Sequence, residues 1–352
     1  MTCLKPDERS NPYLLRRVAV LSADDRLEEA GDLLETLSDP ALDGMYDLAV
    51  GEGLEPLLLA ADTRASQRAR AKRLRSAASR DLVIDGNLER VSDSLARAGV
   101  TFLLEKGAFF RDTIYPASWL RSMVDLDLLV LPRDRDPAMT ALTGAGFTLR
   151  ETSPSRPFSG RLSLERILMS PLGDLAVEVH CDLTHERFGF SNDLDGLFLR
   201  AQPTRWTGAG TLSWEDHLLH EAIHLARTGM AAPLKHYLDV DRLARNTSPD
   251  WDLLAERARS WGCATALYFT LDFARGLFGT PIPDHALDRT APSGPRSWLL
   301  GGLLNREVEA KGLSFALWKS LVLPALYDRM GDSAGFVAWM AGTRFIDRLV
   351  RT

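Results

Sequence analysis

Asp125 and Asp127 stand two residues apart in the run Val124-Asp125-Leu126-Asp127-Leu128-Leu129-Val130-Leu131. Side chains two apart on a strand share a face, so the carboxylates stand side by side while Val124, Leu126 and Leu128 turn into apolar packing. Like charges held that close repel each other. A hard divalent cation with oxygen ligands, such as Mg²⁺, is the simplest way to offset that cost. Downstream, Glu178, His180 and Asp182 share the face of a second apolar run, and Glu178 lies between Val177 and Val179. It is the third candidate ligand, with Asp174 and Asp182 as the alternatives to it. Three carboxylates from two neighbouring strands could hold one or two ions, which would neutralise a triphosphate and steady a leaving pyrophosphate. Lys106 and Arg121 would add positive charge around the phosphates. Their plainer alternatives are a lysine stem lying along a helix start and an Arg121–Asp125 ion pair.

These side chains need a sheet. From Asp24 to Ala98 the chain reads as helices, with Leu27, Ala30, Leu33, Leu34 and Leu37 and then Leu88, Val91 and Leu95 at helical spacing. The basic run Arg64 to Arg80 within it reads as a solvated helix face. At Gly99 the pattern changes: Val100 to Leu104 reads as a buried strand, and Lys106-Gly107 then forms a tight turn into a helix from Ala108. Val124 to Leu131 is the second strand, ended by Pro132, and Ala138 to Ala145 a crossover helix. After a Ser- and Pro-containing loop around Thr152 to Gly160, Arg166 to Ser170 and Leu175 to Asp182 read as a hairpin. From Trp214 the helical period returns, with Trp214, Trp251, Trp261 and Phe269 as core, and Leu313 to Tyr327 reads as a core helix pair. The expected division is a helical segment over 1–98, an α/β (α+β) core over 99–205 and a helical domain over 206–352.

A hydrophobic share of 45% and a charged share of 26% fit a packed globular chain of 352 residues. The net charge of −6 gives no general footprint for nucleic acid, so no nucleic-acid partner is expected. Met1 to Pro12 does not read as a secretory leader, and no stretch is apolar enough to span a bilayer. The expected location is the cytoplasm. Cys3, Cys181 and Cys263 are far apart and odd in number, which fits reduced thiols.

Around Lys106-Gly107, Tyr115-Pro116 and Arg121 through Val130, the sequence resembles the nucleotidyltransferase superfamily. In particular it resembles an uncharacterised bacterial family with a Leu-Lys-Gly turn and an Arg-x-x-x-Asp-x-Asp-Leu-Leu-Val strand. Further matches are Glu178-Val179-His180, the helix around Leu219 to Ala226, Asp239 within Tyr237-Leu238-Asp239, and Trp251-Asp252; the similarity runs from about Leu27 to Pro283. The resemblance implies a small mixed sheet with helices and a glycine phosphate turn at Gly107. It also implies a trio, Asp125, Asp127 and Glu178, binding Mg²⁺ while a nucleoside monophosphate passes from ATP or another NTP to an acceptor. The acceptor is left open. Ala108, Glu105 and Val124 depart from the family pattern, and the first two make a nucleotide-binding or regulatory module without turnover the alternative.

His220-Glu221-Ala222-Ile223-His224 spells H-E-x-x-H, which on a helix can put two zinc ligands and a general base on one face. The extended pattern fails, because Arg227 and Met230 stand where Gly and a third His would be. A third ligand would have to be distant, such as Asp239 or Glu256, so a zinc peptidase is the lesser alternative. The other reading has His220 and His224 lining the groove between sheet and helical domain, with Asp239 orienting one of them.

Overall fold

The computed structural model describes residues 11–63, 67–150, 166–184, 189–304, 315–329, 331–335 and 337. Four helices come first: α1 (Asn11–Ala23), α2 (Leu27–Glu35), α3 (Asp39–Gly51) and α4 (Glu55–Ala61). Pro40 and Pro56 occupy the first turns of α3 and α4, where a backbone N–H has no helical partner to lose. Then α5 (Gln67–Arg97) runs 31 residues. Its buried stripe of Ile84, Leu88, Val91 and Leu95 follows the helical period and packs it on the core.

The strands β1 (Phe102–Leu104), β2 (Asp125–Val130), β3 (Thr148–Leu149), β4 (Arg166–Met169), β5 (Ala176–His180), β6 (Gln202–Pro203) and β7 (Ala209–Thr211) form one mixed sheet. Their order is β3-β4-β5-β2-β1-β7-β6. β2 pairs antiparallel with β1 and parallel with β5, while β4 and β5 form the expected antiparallel hairpin. Between strands lie α6 (Gly107–Thr113), α7 (Arg135–Gly144) and α8 (Leu194–Leu199). The rest is helical: α9 (Trp214–Arg227), α10 (Leu234–Asn246), α11 (Trp251–Trp261), α12 (Ala264–Phe278), α13 (Asp284–Thr290), α14 (Gly294–Leu304) and α15 (Phe315–Leu326). The class is α+β, with a mixed sheet among many helices.

Several expectations change in detail. The sheet continues past residue 205, because β7 pairs in parallel with β1. Buried side chains from Leu15 to Tyr327 join a single hydrophobic cluster. Val124 is 66% exposed rather than packed, since the strand begins only at Asp125. Among its described residues, Leu313 to Tyr327 forms the one helix α15 rather than a pair, with Pro324 inside its last turn and Trp318, Val322 and Leu323 buried. Trp261 and Phe269 are buried, and Trp214 and Trp251 pack on the core margin. Cys181 and Cys263 are free and buried; Cys3 and the loop around Thr152 to Gly160 lie outside the described residues. Among the described residues no helix is long and apolar enough to cross a membrane.

Candidate active site

The strand register decides what the acidic residues can do together. Asp127 pairs directly with Glu178 across the β2–β5 ladder, and Asp125 pairs with Ala176. Leu126, Leu128, Val177 and Val179 are fully buried on the other face, which pins the alternation and turns Asp125, Asp127, Glu178 and His180 to one side. His180 Nε2 lies 3.1 Å from Asp127 Oδ1 and 3.8 Å from Glu178 Oε2. The ligand atoms of Asp127, Glu178 and His180 all fall within 4.8 Å of one another. Burial opposes the proton of His180, but its hydrogen bond to Asp127 and the charges of Glu105 and Asp127 outweigh it and raise its pKa. Burial and the neighbouring Asp127 raise the pKa of Asp125. The face therefore holds more carboxylate than its surroundings comfortably neutralise, and its donor set fits a hard divalent cation.

The turn before this face is held under strain. Lys106 has φ +42° and ψ −122°, a backbone conformation that non-glycine residues avoid. Gly107 follows because a Cβ there would stand 3.0 Å from Met123 Cγ and 3.6 Å from Arg121 Nη1. Lys106 Nζ is 3.4 Å from His224 Nδ1. Burial, then the Lys106 charge, hold His224 well below the usual histidine range, so the neutral ring can accept from the ammonium. Glu105, one residue earlier, is fully buried, and neither carboxylate oxygen has a hydrogen-bond partner among the described residues. Burial pushes it up to about 7.

Arg121 does not pair with Asp125. Its Nε and Nη2 donate to Asp239 at 2.8 and 2.6 Å, and Tyr115 Oη donates to the same carboxylate at 2.7 Å. Arg121 and Asp239 are both buried, so the guanidinium stays charged and is largely neutralised where it stands. Beside them His236 Nδ1 lies 3.2 Å from Glu221 Oε2, and its ring lies 4.4 Å from that of His224. Glu221, His236 and Asp239 form a second close group, but with Asp239 engaged by Arg121 and Tyr115 this is a buried polar network.

The H-E-x-x-H segment does not assemble a zinc site. His220 Nε2 faces Glu105 Oε2 at 3.5 Å, His224 faces Lys106, and Glu221 faces His236. Among the described residues neither His220 nor His224 belongs to a group with metal-ligand spacing. The helix serves instead as the wall opposite the sheet.

A cavity of about 320 Å³ joins these parts, lined by Lys106, Gly107, Arg121, Asp125, Asp127, Glu178, His180 and His224. His220 and Asp239 are not among its lining residues. Arg227, Lys235 and His236 also line it, and no spacing pattern in the sequence marked them. Arg80, read as part of a solvated face, donates to the main-chain carbonyls of Met123 and Val124 at 3.3 and 3.0 Å and to that of Asp174. One guanidinium thus ties together the segments that lead into β2 and β5.

A family model described as uncharacterised nucleotidyltransferase matches residues 43–279. No curated protein and no solved structure matches the chain.

Proposed function

The chain belongs to the uncharacterised nucleotidyltransferase family, and from that premise we propose that it moves a nucleoside monophosphate from an NTP to an acceptor with Mg²⁺. The observation that carries this reading is the register of Asp127 with Glu178, which gathers Asp125, Asp127, Glu178 and His180 on the cavity that Lys106-Gly107 enters.

Asp127 and Glu178, with Asp125 beside them, would hold the cation; Mg²⁺ when bound would neutralise phosphate charge as the reaction proceeds. His180 fixes the orientation of Asp127 through its hydrogen bond. Lys106 and Arg227 supply the positive field that draws a triphosphate into the cavity. Gly107 keeps the turn free of a side chain, so phosphate oxygens can approach the backbone. Arg121, held by Asp239 and standing close to Gly107, offers no unshared charge.

An acceptor oxygen or nitrogen attacks the α-phosphorus as the bond to the α–β bridging oxygen breaks. Pyrophosphate leaves with that electron pair, and the acceptor gives up its proton to a base or to solvent. NTP labelled on the α-phosphate should pass its label to the acceptor, whereas γ-labelled NTP should release it as pyrophosphate. Transfer of γ-label would replace this reading with phosphoryl transfer. Nucleotide binding without either transfer would favour a module that has lost turnover.

A further inference from the structure

A second cavity, of about 360 Å³, adjoins the first and shares Arg121, Met123, Val124, Pro233 and Lys235 with it. Its far side is built by the N-terminal helices, from Glu55, Leu59, Arg73, Ser76 and Ala77 among others. We propose that this cavity binds the acceptor, and that the acceptor is a small molecule with an anionic group, phosphate or carboxylate, beside an apolar or ring portion. The proposal rests on the nucleotidyl-transfer reading and extends it.

Size and position come first. Such a volume suits a small ligand, at the lower end of the roughly 300–1,000 Å³ common for such sites, and not a macromolecular surface. The shared wall is the segment that leads directly into Asp125, so a ligand there meets the nucleotide from the side of that carboxylate. The acceptor atom would then form its bond to the α-phosphorus while the α–β bridging bond breaks and pyrophosphate leaves through the first cavity.

Charge then selects the ligand. Most ionised groups of the wall are already neutralised. Arg73 pairs with Glu55 and lies 4.9 Å over the Tyr46 ring, Asp81 pairs with Arg111, and Arg121 pairs with Asp239. Two cations are left without a carboxylate partner among the described residues. Arg80 spends its hydrogen bonds on main-chain carbonyls, which leave its charge intact. Lys235 forms no ion pair among the described residues, and burial followed by the Arg121 charge lowers its pKa against the opposing pull of Asp239, Asp125 and Glu221. Its place is fixed: Gly53 has φ +69°, and a Cβ there would stand 2.5 Å from Lys235 Cδ. Glu52 also accepts from the Leu234 and Lys235 backbone N–H groups. Pro56, Leu59, Ile84 and Trp119 add an apolar and aromatic portion to the same lining.

Phenyl phosphate, benzoate and benzyl alcohol probe the site as phosphate, carboxylate and neutral versions of one ring. Each is titrated into the full chain already holding Mg²⁺ and a non-hydrolysable ATP analogue. An anionic probe should bind without displacing the analogue, and at least about tenfold more tightly than benzyl alcohol; the tighter of the two anions identifies the group. Ser76 is exposed, so Ser76→Trp should fold normally and fill the cavity. It should weaken the anionic probe by about tenfold and leave the analogue's affinity unchanged. The proposal is overturned if no probe binds, if benzyl alcohol binds equally, if the probe displaces the analogue, or if Ser76→Trp leaves probe binding intact. It is also overturned if Ser76→Trp abolishes analogue binding, which would make the cavity a nucleobase site. Failure of the nucleotidyl-transfer reading shows separately, as a wild-type protein that does not bind the analogue at all.

Discussion

His217 should make the protein measurably less stable in mild acid. Thr211 donates its one hydroxyl proton to the Leu104 carbonyl at 2.9 Å, so the same oxygen must accept from His217 Nε2–H, also at 2.9 Å. The ring is therefore neutral with its proton on Nε2. It stacks on Phe109 at 5.2 Å with the planes 4° apart, and its buried Nδ1 has no hydrogen-bond partner among the described residues to share a second proton. Burial drives its pKa down to about 3. The sign follows: the unfolded chain takes up a proton near the ordinary histidine value of about 6.5 and the folded chain does not, so stability present above that pH is lost as pH falls towards the folded value. Between about pH 7 and pH 5 the single group costs about 2 kcal/mol. Urea denaturation of the wild type and of His217→Gln at the two pH values isolates it, because other titrations cancel in the difference. The stability gap between the two proteins should shrink by about 2 kcal/mol on acidification. A gap that stays constant would refute the assigned neutral, solvent-excluded ring.

Lys106→Gly should raise the melting temperature, since relief of the positive φ is worth about 1–3 kcal/mol, and it should weaken nucleotide binding through the lost ammonium. A lower melting temperature would show that the turn is not strained. Asp239→Asn should cost about 3–5 kcal/mol in chemical denaturation, because Arg121 is left buried without its carboxylate; a loss within about 1 kcal/mol, the worth of a surface pair, would contradict the burial argument. Arg80→Gln should leave the far-ultraviolet circular dichroism unchanged and raise the Mg²⁺ concentration for half-maximal activity about tenfold. An unchanged metal requirement would mean that the carbonyl clamp does not position the carboxylates.

The central strand was legible because Leu126, Leu128 and the two aspartates alternate within an apolar run, and the β4–β5 hairpin because two such runs flank Pro171 to Gly173. Acid content pointed to neighbouring strands for Asp127 and Glu178. The exact pairing did not follow from it, since register comes from the ladder and not from either run alone. β3, β6 and β7, at two or three residues each, are too short to show a period, and β7 exists because β1 pairs with it. Arg80 and Lys235 carried no local signal either. A charged residue on a polar helix face looks the same in sequence whether it meets water or a main-chain carbonyl 43 residues away. The H-E-x-x-H spelling misleads for a related reason, since spacing puts His220 and His224 on one helix face but Glu105 and Lys106 decide what each ring meets.

Pyrophosphate release tests the central claim most directly. The purified chain, given each NTP, Mg²⁺ and a fractionated pool of small anionic metabolites, should release pyrophosphate in step with nucleotide attached to acceptor. Chelation should stop the release, and Asp125→Asn and Asp127→Asn should lower it by at least about a hundredfold while the fold persists. Release that survives both substitutions, or no release with any NTP and acceptor fraction, would contradict the assignment of the β2–β5 carboxylates to nucleotidyl transfer.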